Sequence, residues 1–263
     1  MVSWGMKRWL IAIALSAVCS VPGEGASTSE AEIFRRIGQR VWVNECAGTE
    51  QGLVAWNAGE AFPSLGIGHF IWYPAGYKGP FEESFPQFVA YARAQGAQVP
   101  AFFNGAAPWR SREAFAADRS GLADKMRRWL AAHVDLQTRF LLVRLRAALP
   151  RMLRASSKPQ VVQARFDALS RSTQGLYCLM DYVNFKGEGT KATERYKGQG
   201  WGLLQVLEEM RGTPAPGPAA TAEFARAASA VMERRVRNAP PERGEKRWLR
   251  GWLNRCNTYR SRE

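Results

Sequence analysis

The amino-acid sequence predicts a mainly α protein of the α+β class, in which a small sheet follows the first helix. Apolar residues recur at helical spacing near the start of the chain and through most of its second half. Residues 53–73 instead place β-branched and aromatic residues between glycines, which is typical of short strands. Proline- and glycine-rich breakers at 213–218 and 239–244 separate later helical segments.

The first predicted helix opens at a capping box, in which Ser27 or Ser29 is followed three residues later by a glutamate, and it runs to about Cys46. Gly48 is a natural stop. One face of this helix is apolar and ends in Glu45. The other members of the face are Phe34, Ile37 and Val41.

Two or three short strands are predicted within residues 53–73, and Gly66 and Gly68 should allow close backbone approach there. A helix resumes after Ser84, and a loop covers residues 95–110. Pro150 and Pro159 predict a further boundary between helices. The remaining predicted helices span residues 120–133, 135–153, 159–171, 173–184, 200–210, 220–237 and 244–256.

Residues 1–26 have the layout of a secretory signal peptide. Two basic residues precede a nine-residue apolar stretch at 10–18, which is too short to span a bilayer, and small residues follow. Val18 in front of Cys19 argues against lipidation. We therefore expect cleavage near Ala26, a single mature domain at 27–263, and a periplasmic or secreted location.

The charge balance predicts an anionic partner. Lys+Arg exceeds Asp+Glu by 37 − 23 = +14, which favours nucleic acid or an anionic polymer of the cell envelope. Export excludes nucleic acid and favours the cell wall, where we expect a monomer that contacts peptidoglycan and anionic envelope polymers.

Cysteine and histidine usage predicts neither a metal nor a cofactor. The mature chain keeps Cys46, Cys178 and Cys256, whose spacing fits no zinc pattern. In an oxidising compartment we expect one disulfide and one buried thiol, with the pairing open.

Glu45 is the strongest catalytic candidate. It ends an apolar helical face, so its carboxyl should be partly withdrawn from water, which disfavours the charged form. A carboxyl that keeps its proton is the general acid required for cleavage of a glycosidic bond. The alternative is an exposed carboxylate at a helix end, because carboxylates usually lie at the surface.

The segment that follows Glu45 resembles phage-type lysozymes (muramidases) of the lysozyme-like superfamily. Those enzymes carry Thr-Ile-Gly-(Ile/Tyr)-Gly-His after a catalytic glutamate and an aromatic residue. Here the sequence Ser-Leu-Gly-Ile-Gly-His-Phe at 64–70 follows Glu45 and Trp56. The similarity covers about residues 33–73, and LMDYVNFKGEG at 179–189 is similar to a helix of that family ending in Phe-Asn-x-Gly.

The resemblance implies a lysozyme-like fold with a helical C-terminal extension, and cleavage of the bond between N-acetylmuramic acid and N-acetylglucosamine in peptidoglycan. Glu45 would be the general acid. The aspartate of the family falls on Ala58, so Glu60 becomes the candidate for the second group, and Ser64 would hold a water. Expected substrate contacts are Trp56, Asn57, His69, Phe70, Tyr73 and Asn184. For His69, a structural role in the hairpin is the alternative.

A second motif resembles soluble lytic transglycosylases. The Gly-Leu-Leu-Gln segment at 202–205 is similar to their Gly-Leu-Met-Gln, and Glu188 stands 14 residues before Gly202. No Glu-Ser pair is present and Glu188 lies in a Gly-Glu-Gly loop, so Glu45 is preferred as the acid. Lytic transglycosylation on the same bond and a non-catalytic wall-binding protein of the same fold remain the alternatives to hydrolysis.

Overall fold

The computed structural model describes residues 29–260, and the predicted signal peptide lies outside them. The mainly helical α+β class is confirmed. The helices are α1 (Glu30–Cys46), α2 (Phe85–Ala94), α3 (Arg112–Ala117), α4 (Leu122–Ala132), α5 (Val134–Ala155), α6 (Pro159–Ser170), α7 (Thr173–Lys186), α8 (Leu203–Glu209), α9 (Pro218–Asn238) and α10 (Lys246–Asn257). Helical turns of the 3-10 type occur at Gln51–Leu53, Ala101–Phe103 and Pro241–Arg243.

The sheet predicted after the first helix is present and has three antiparallel strands in sequence order. They are β1 (Val54–Ala55), β2 (Ser64–Leu65) and β3 (Phe70–Ile71). Leu65 in the central strand lies opposite Val54 on one side and Phe70 on the other. The change of residue pattern at 53–73 therefore located the sheet correctly.

A second antiparallel ribbon, which the sequence analysis did not predict, joins β4 (Arg195–Tyr196) to β5 (Gln199–Gly200). Its two-residue turn is Lys197-Gly198, and both residues have positive φ angles, 49° and 75°. Such turns match the twist of a hairpin, and glycine adopts this geometry without strain.

Two further differences concern helices. The short helix α3 was not predicted; its N-cap is Ser111, whose hydroxyl accepts a hydrogen bond from the backbone of Ala114. Pro150 does not end a helix, because α5 continues through it to Ala155. Proline removes one backbone hydrogen bond, but Ala148 and Met152 on either side are buried, and this packing holds the helix together.

Helix α1 begins at the predicted serine cap, although the Glu32 carboxylate accepts from Arg35 and Arg36 and does not complete a capping box. The Ser29 hydroxyl accepts a hydrogen bond from the backbone N–H of Glu32, and left-handed residues at Ala47 and Gly48 end the helix. The apolar face is buried, and α1 packs against α5 and α7. Glu45 therefore lies where the buried face of α1 ends.

Aromatic side chains fill the core on both sides of α5. Phe70 of β3 stacks on Phe88 of α2 with ring centroids 5.2 Å apart. A second group surrounds the fully buried Tyr182 on α7 and includes Phe224 and Tyr259. Among the helices of residues 29–260, none has the length and apolar character needed to cross a bilayer.

The tip of the β2–β3 hairpin is held by Gln137 of α5, which is fully buried. Its Oε1 accepts a hydrogen bond from the backbone N–H of Ile67 (2.9 Å), and its Nε2 donates to the carbonyl of Leu130 (2.7 Å). Gly66 has a φ of +71°, and a Cβ there would lie 2.2 Å from Oε1 of Gln137. The close approach expected at this glycine is therefore confirmed.

Gly68 also makes the expected close approach, but to a core ring. A Cβ at Gly68 would lie 2.4 Å from Cε1 of Phe70 and 3.1 Å from Cδ2 of Leu141. Because both neighbours belong to the buried core, this glycine is required for packing of the hairpin.

The expected disulfide is not formed, since Cys46, Cys178 and Cys256 are all free and buried. Their sulfur atoms have separate surroundings. The thiol of Cys46 donates to the carbonyl of Gly66, whereas that of Cys178 donates to the carbonyl of Tyr259. Burial raises the pKa of Cys46 and of Cys256 to about 12.

We predict that Gln137→Leu destabilises the protein by about 1–3 kcal/mol, because the buried N–H of Ile67 loses its acceptor. Denaturant unfolding followed by circular dichroism measures this loss. Gln39→Leu, at an exposed position of α1, is the control and should change stability by less than about 0.5 kcal/mol. Equal stability of the two variants would contradict the role given to Gln137.

Candidate active site

Glu45 lies at the end of α1 with 14% of its side chain exposed. Its Oε1 accepts from Nη2 of Arg255 on α10 (2.5 Å) and from Nδ2 of Asn184 on α7 (3.2 Å). Its Oε2 lies 3.5 Å from Nδ1 of His69 in the hairpin. Three segments distant in sequence therefore meet at this carboxylate, and two of the predicted substrate-contacting residues are among its neighbours.

Arg255 is held by a second carboxylate behind Glu45. Asp181 of α7 is fully buried and accepts two hydrogen bonds from Arg255, both at 2.8 Å. Tyr259 and Asn44 donate to the same carboxylate at 2.7 and 3.1 Å. Burial by itself lowers the pKa of Arg255, but the charges of Asp181 and Glu45 outweigh it and raise that pKa well above its usual value.

The thiol of Cys46 completes a Cys-His-Glu arrangement at the same place. Its Sγ lies 3.7 Å from Nε2 of His69, whose other ring nitrogen faces Glu45. A nucleophilic cysteine must form a thiolate. Here burial and the nearby charge of Glu45 raise the pKa of Cys46 to about 12, which disfavours the thiolate.

A cleft of about 510 Å³ opens beside Glu45. His69 and Asn184, which both contact the Glu45 carboxylate, line this cleft. Its walls are the hairpin with the start of α2, one face of α5, and the end of α7 with the loop that follows. The charged residues of the lining are Glu82, Arg144, Arg151, Glu188, Lys191 and Glu194.

The Gly-Leu-Leu-Gln motif supports the loop that carries Glu188 into the cleft. The backbone N–H of Leu204 donates to the carbonyl of Glu188, and Nε2 of Gln205 donates to the carbonyl of Gly189, both at 3.0 Å. A Cβ at Gly202 would lie 2.1 Å from the backbone N of Gly189. The second motif therefore supports the Glu188 loop through hydrogen bonds to the backbone of that loop.

The structure separates Glu60 from this cleft. Glu60, Trp56 and Tyr77 line a second groove of about 720 Å³. The Glu60 carbonyl accepts from Nε1 of Trp56 (2.8 Å), and its carboxylate accepts from Nδ2 of Asn57 (3.1 Å). Ser64 is buried in the central strand and lines neither groove. The three predicted catalytic residues are thus not brought together in one cleft.

Two of the rings expected to contact substrate lie in the core instead. Phe70 is fully buried between α2 and α5 because β3 turns it toward these helices. Tyr73 is 6% exposed, and its hydroxyl exchanges hydrogen bonds of 3.2 Å with the backbone of Phe81. A strand next to helices directs alternate rings inward, so an aromatic run by itself does not identify the residues that face a cleft.

Arg255 and Asp181 were missed as site residues. Asp181 carried a usable signal, because a lone carboxylate inside the apolar run LYCLMDY predicts a buried cationic partner. Nothing in the sequence distinguishes Arg255 from its arginine neighbours on α10. Within the described part of the chain, no cluster of three or more His, Cys, Asp or Glu side chains could hold a metal ion.

Lys186, the last residue of α7, lies next to this network. Its Nζ is 3.9 Å from the ring centroids of both Phe185 and Trp252. Burial, together with repulsion from Arg235 and Arg255, lowers the pKa of Lys186 from its ordinary 10.5 to about 7. The ammonium therefore costs stability wherever it remains charged in the folded protein.

Comparison of the chain with models of protein families, with curated proteins and with solved structures found no match.

We predict that Arg255→Met destabilises the protein by about 3–5 kcal/mol, because it leaves the buried carboxylate of Asp181 without its cation. Denaturant unfolding measures this change. Arg250→Met, at an exposed position of the same helix, is the control and should stay within about 0.5 kcal/mol of the wild type. Similar stability in both variants would show that Asp181 does not depend on Arg255.

We predict a pH-dependent gain in stability for Lys186→Met. From pH 7 to 10.5 the unfolded chain binds a proton at Lys186 that the folded protein has lost, so the Lys186 contribution to wild-type stability rises with pH across this window. The variant lacks the cost of the buried ammonium. Its gain in stability over the wild type should therefore be largest below pH 7 and shrink toward pH 10.5. Thermal melting between pH 6 and 10 tests this, with the exposed Lys125→Met as control. Parallel curves for Lys186→Met and the wild type would refute the buried charge.

Proposed function

We propose that this protein is an exported glycosidase that cleaves the bond between N-acetylmuramic acid and N-acetylglucosamine in peptidoglycan, with Glu45 as proton donor. One observation carries the proposal. The Glu45 carboxylate is 14% exposed and is contacted by His69 and Asn184, two residues that line the 510 Å³ cleft. The order of glutamate, hairpin and glycines that resembles phage-type lysozymes gives independent support.

The two oxygens of Glu45 have different surroundings, which suits a proton donor. Oε1 is fixed by Arg255 and Asn184, whereas Oε2 faces His69 at 3.5 Å. Oε2 is thus the oxygen of Glu45 that Arg255 and Asn184 leave free to face a substrate. A glycan bound against His69 and Asn184 would bring its scissile oxygen to Oε2, where the leaving sugar takes its proton.

Lytic transglycosylation of the same bond is the second candidate, and the position of Glu60 favours it. Glu60 lies in another groove, and the carboxylates in the cleft lining are engaged by Gln87, Arg151 and Lys191. Hydrolysis by two carboxylates needs a second free group beside the reacting carbon. Transglycosylation uses the muramic 6-hydroxyl of the substrate as nucleophile and needs no such group.

Digestion of purified peptidoglycan followed by mass analysis of the released muropeptides separates the candidates. Reducing muramic ends indicate hydrolysis, and 1,6-anhydro ends, which are lighter by one water, indicate transglycosylation. Binding to peptidoglycan with no released muropeptide would overturn the enzymatic proposal and leave a wall-binding protein.

We predict that Glu45→Gln lowers the rate of muropeptide release by at least about 10²-fold, since general acid catalysis is typically worth about 10²–10⁴-fold. The amide keeps an acceptor for Arg255 and Asn184, so the variant should unfold cooperatively. Glu60→Gln is the matched control and should lower the rate of muropeptide release by a smaller factor. If Glu188→Gln abolished muropeptide release while Glu45→Gln stayed active, the proton donor would instead be Glu188, in the loop after α7.

A further inference from the structure

The face of α5 that lines the cleft carries two arginines in different situations. Leu141, Arg144, Ala147 and Arg151 follow one another along this face. Arg151 donates to both oxygens of Glu188, at 2.9 and 2.5 Å. Arg144 forms no hydrogen bond and no ion pair with any residue in the described part of the chain. The two guanidinium groups thus line the same wall, but only one is engaged.

Arg144 is also partly buried. Burial lowers the pKa of its guanidinium, and Glu82 and Glu188 are the carboxylates that act on it most strongly. Both of these carboxylates already accept hydrogen bonds, Glu82 from Gln87 at 2.8 Å and Glu188 from Arg151. A charge withdrawn from water without hydrogen bonds costs free energy, and a ligand carboxylate in the cleft would relieve that cost.

The other cations of the cleft lining are engaged. Lys191 lies 3.7 Å from Glu194, and Arg151 is bound to Glu188. Arg144 is therefore the cleft cation, among the described residues, whose donors are all available. A guanidinium presents a planar fork that matches a carboxylate with two parallel hydrogen bonds.

We propose that Arg144 binds a carboxylate of the peptide stem carried by the glycan, and so makes peptide-bearing strands the preferred substrate of this cleft. This inference rests on the proposed function. It identifies the peptide stem as the part of the substrate that Arg144 recognises. N-acetylglucosamine is neutral, and the lactyl carboxyl of muramic acid is consumed in the amide bond to the stem. The carboxylates of an intact strand therefore belong to the peptide.

Isothermal titration with a disaccharide-peptide, in parallel with the same compound whose peptide carboxylates are converted to amides, tests the proposal. For the wild type, amidation should weaken binding about 10–100-fold, the range expected for a hydrogen-bonded charge pair. Arg144→Gln should weaken binding of the carboxylate form by a similar factor and lose the sensitivity to amidation. Arg144→Lys should retain part of the binding of the carboxylate form and part of the sensitivity to amidation.

Arg146→Gln is the matched control, because Arg146 is an exposed arginine of α5 outside the cleft lining. It should bind both compounds as the wild type does. Arg144→Gln should keep its melting temperature, since the guanidinium has no hydrogen bond or ion pair within residues 29–260 to lose. A wild type that binds both compounds equally, or does not bind them, would overturn the proposal. So would an Arg144→Gln variant with undiminished sensitivity to amidation.

Turnover distinguishes failure of this inference from failure of the proposed function. The wild type is given intact peptidoglycan and glycan strands stripped of their stems. Equal cleavage of both would retain the glycosidase and overturn stem recognition by Arg144. Cleavage of neither would overturn the proposed function, while the titration would still show whether the cleft binds the stem through Arg144.

Discussion

The buried ion pair between Asp181 and Arg255 is the interaction on which the arrangement of the site depends. Asp181 is fully buried and accepts hydrogen bonds from Arg255, Tyr259 and Asn44. Removing a charge from water is costly unless it is paired and hydrogen-bonded. The requirement to satisfy Asp181 therefore fixes α1, α7 and α10 relative to one another, and Glu45 is positioned as a consequence.

The same pair gives Glu45 a different environment from the other acidic residues near the cleft. The guanidinium of Arg255 donates hydrogen bonds to both Asp181 and Glu45. Glu45 therefore shares its cationic partner with a second carboxylate. Glu188, by contrast, has both oxygens bound by Arg151 alone. A shared cation orients a carboxylate while leaving its second oxygen available, whereas a bidentate pair occupies both.

Local features of the fold could be predicted from the sequence, and long-range features could not. The capping serine of α1 and the period change at 53–73 act within a few residues, and both were interpreted correctly. The ribbon around Lys197-Gly198 was missed because its strands have two residues each, too few to show alternation. Gln137 was missed because a glutamine in a helix gives no indication that it holds a hairpin 70 residues away.

The candidate site was predictable only in part, for the same reason. Glu45, His69 and Asn184, which the resemblance placed in one site, lie in contact in the structure. The side chain of Phe70 could not be placed, because the helix that covers it begins 15 residues later. Arg255 and Arg144 depend on packing between helices, which composition and spacing do not encode.

The sequence distance between Glu45 and Arg255 has a consequence for biogenesis. The two residues are 210 positions apart, so the contact that orients the carboxylate requires both α1 and α10. Closing so long a loop costs entropy that must be lost before the contact forms, and contacts between residues far apart in sequence slow folding. During synthesis, α1, the hairpin and α7 are all complete before α10 exists. A chain synthesised only as far as α7 therefore carries its candidate proton donor without the arginine that holds it, and assembly of this centre waits for α10 to dock.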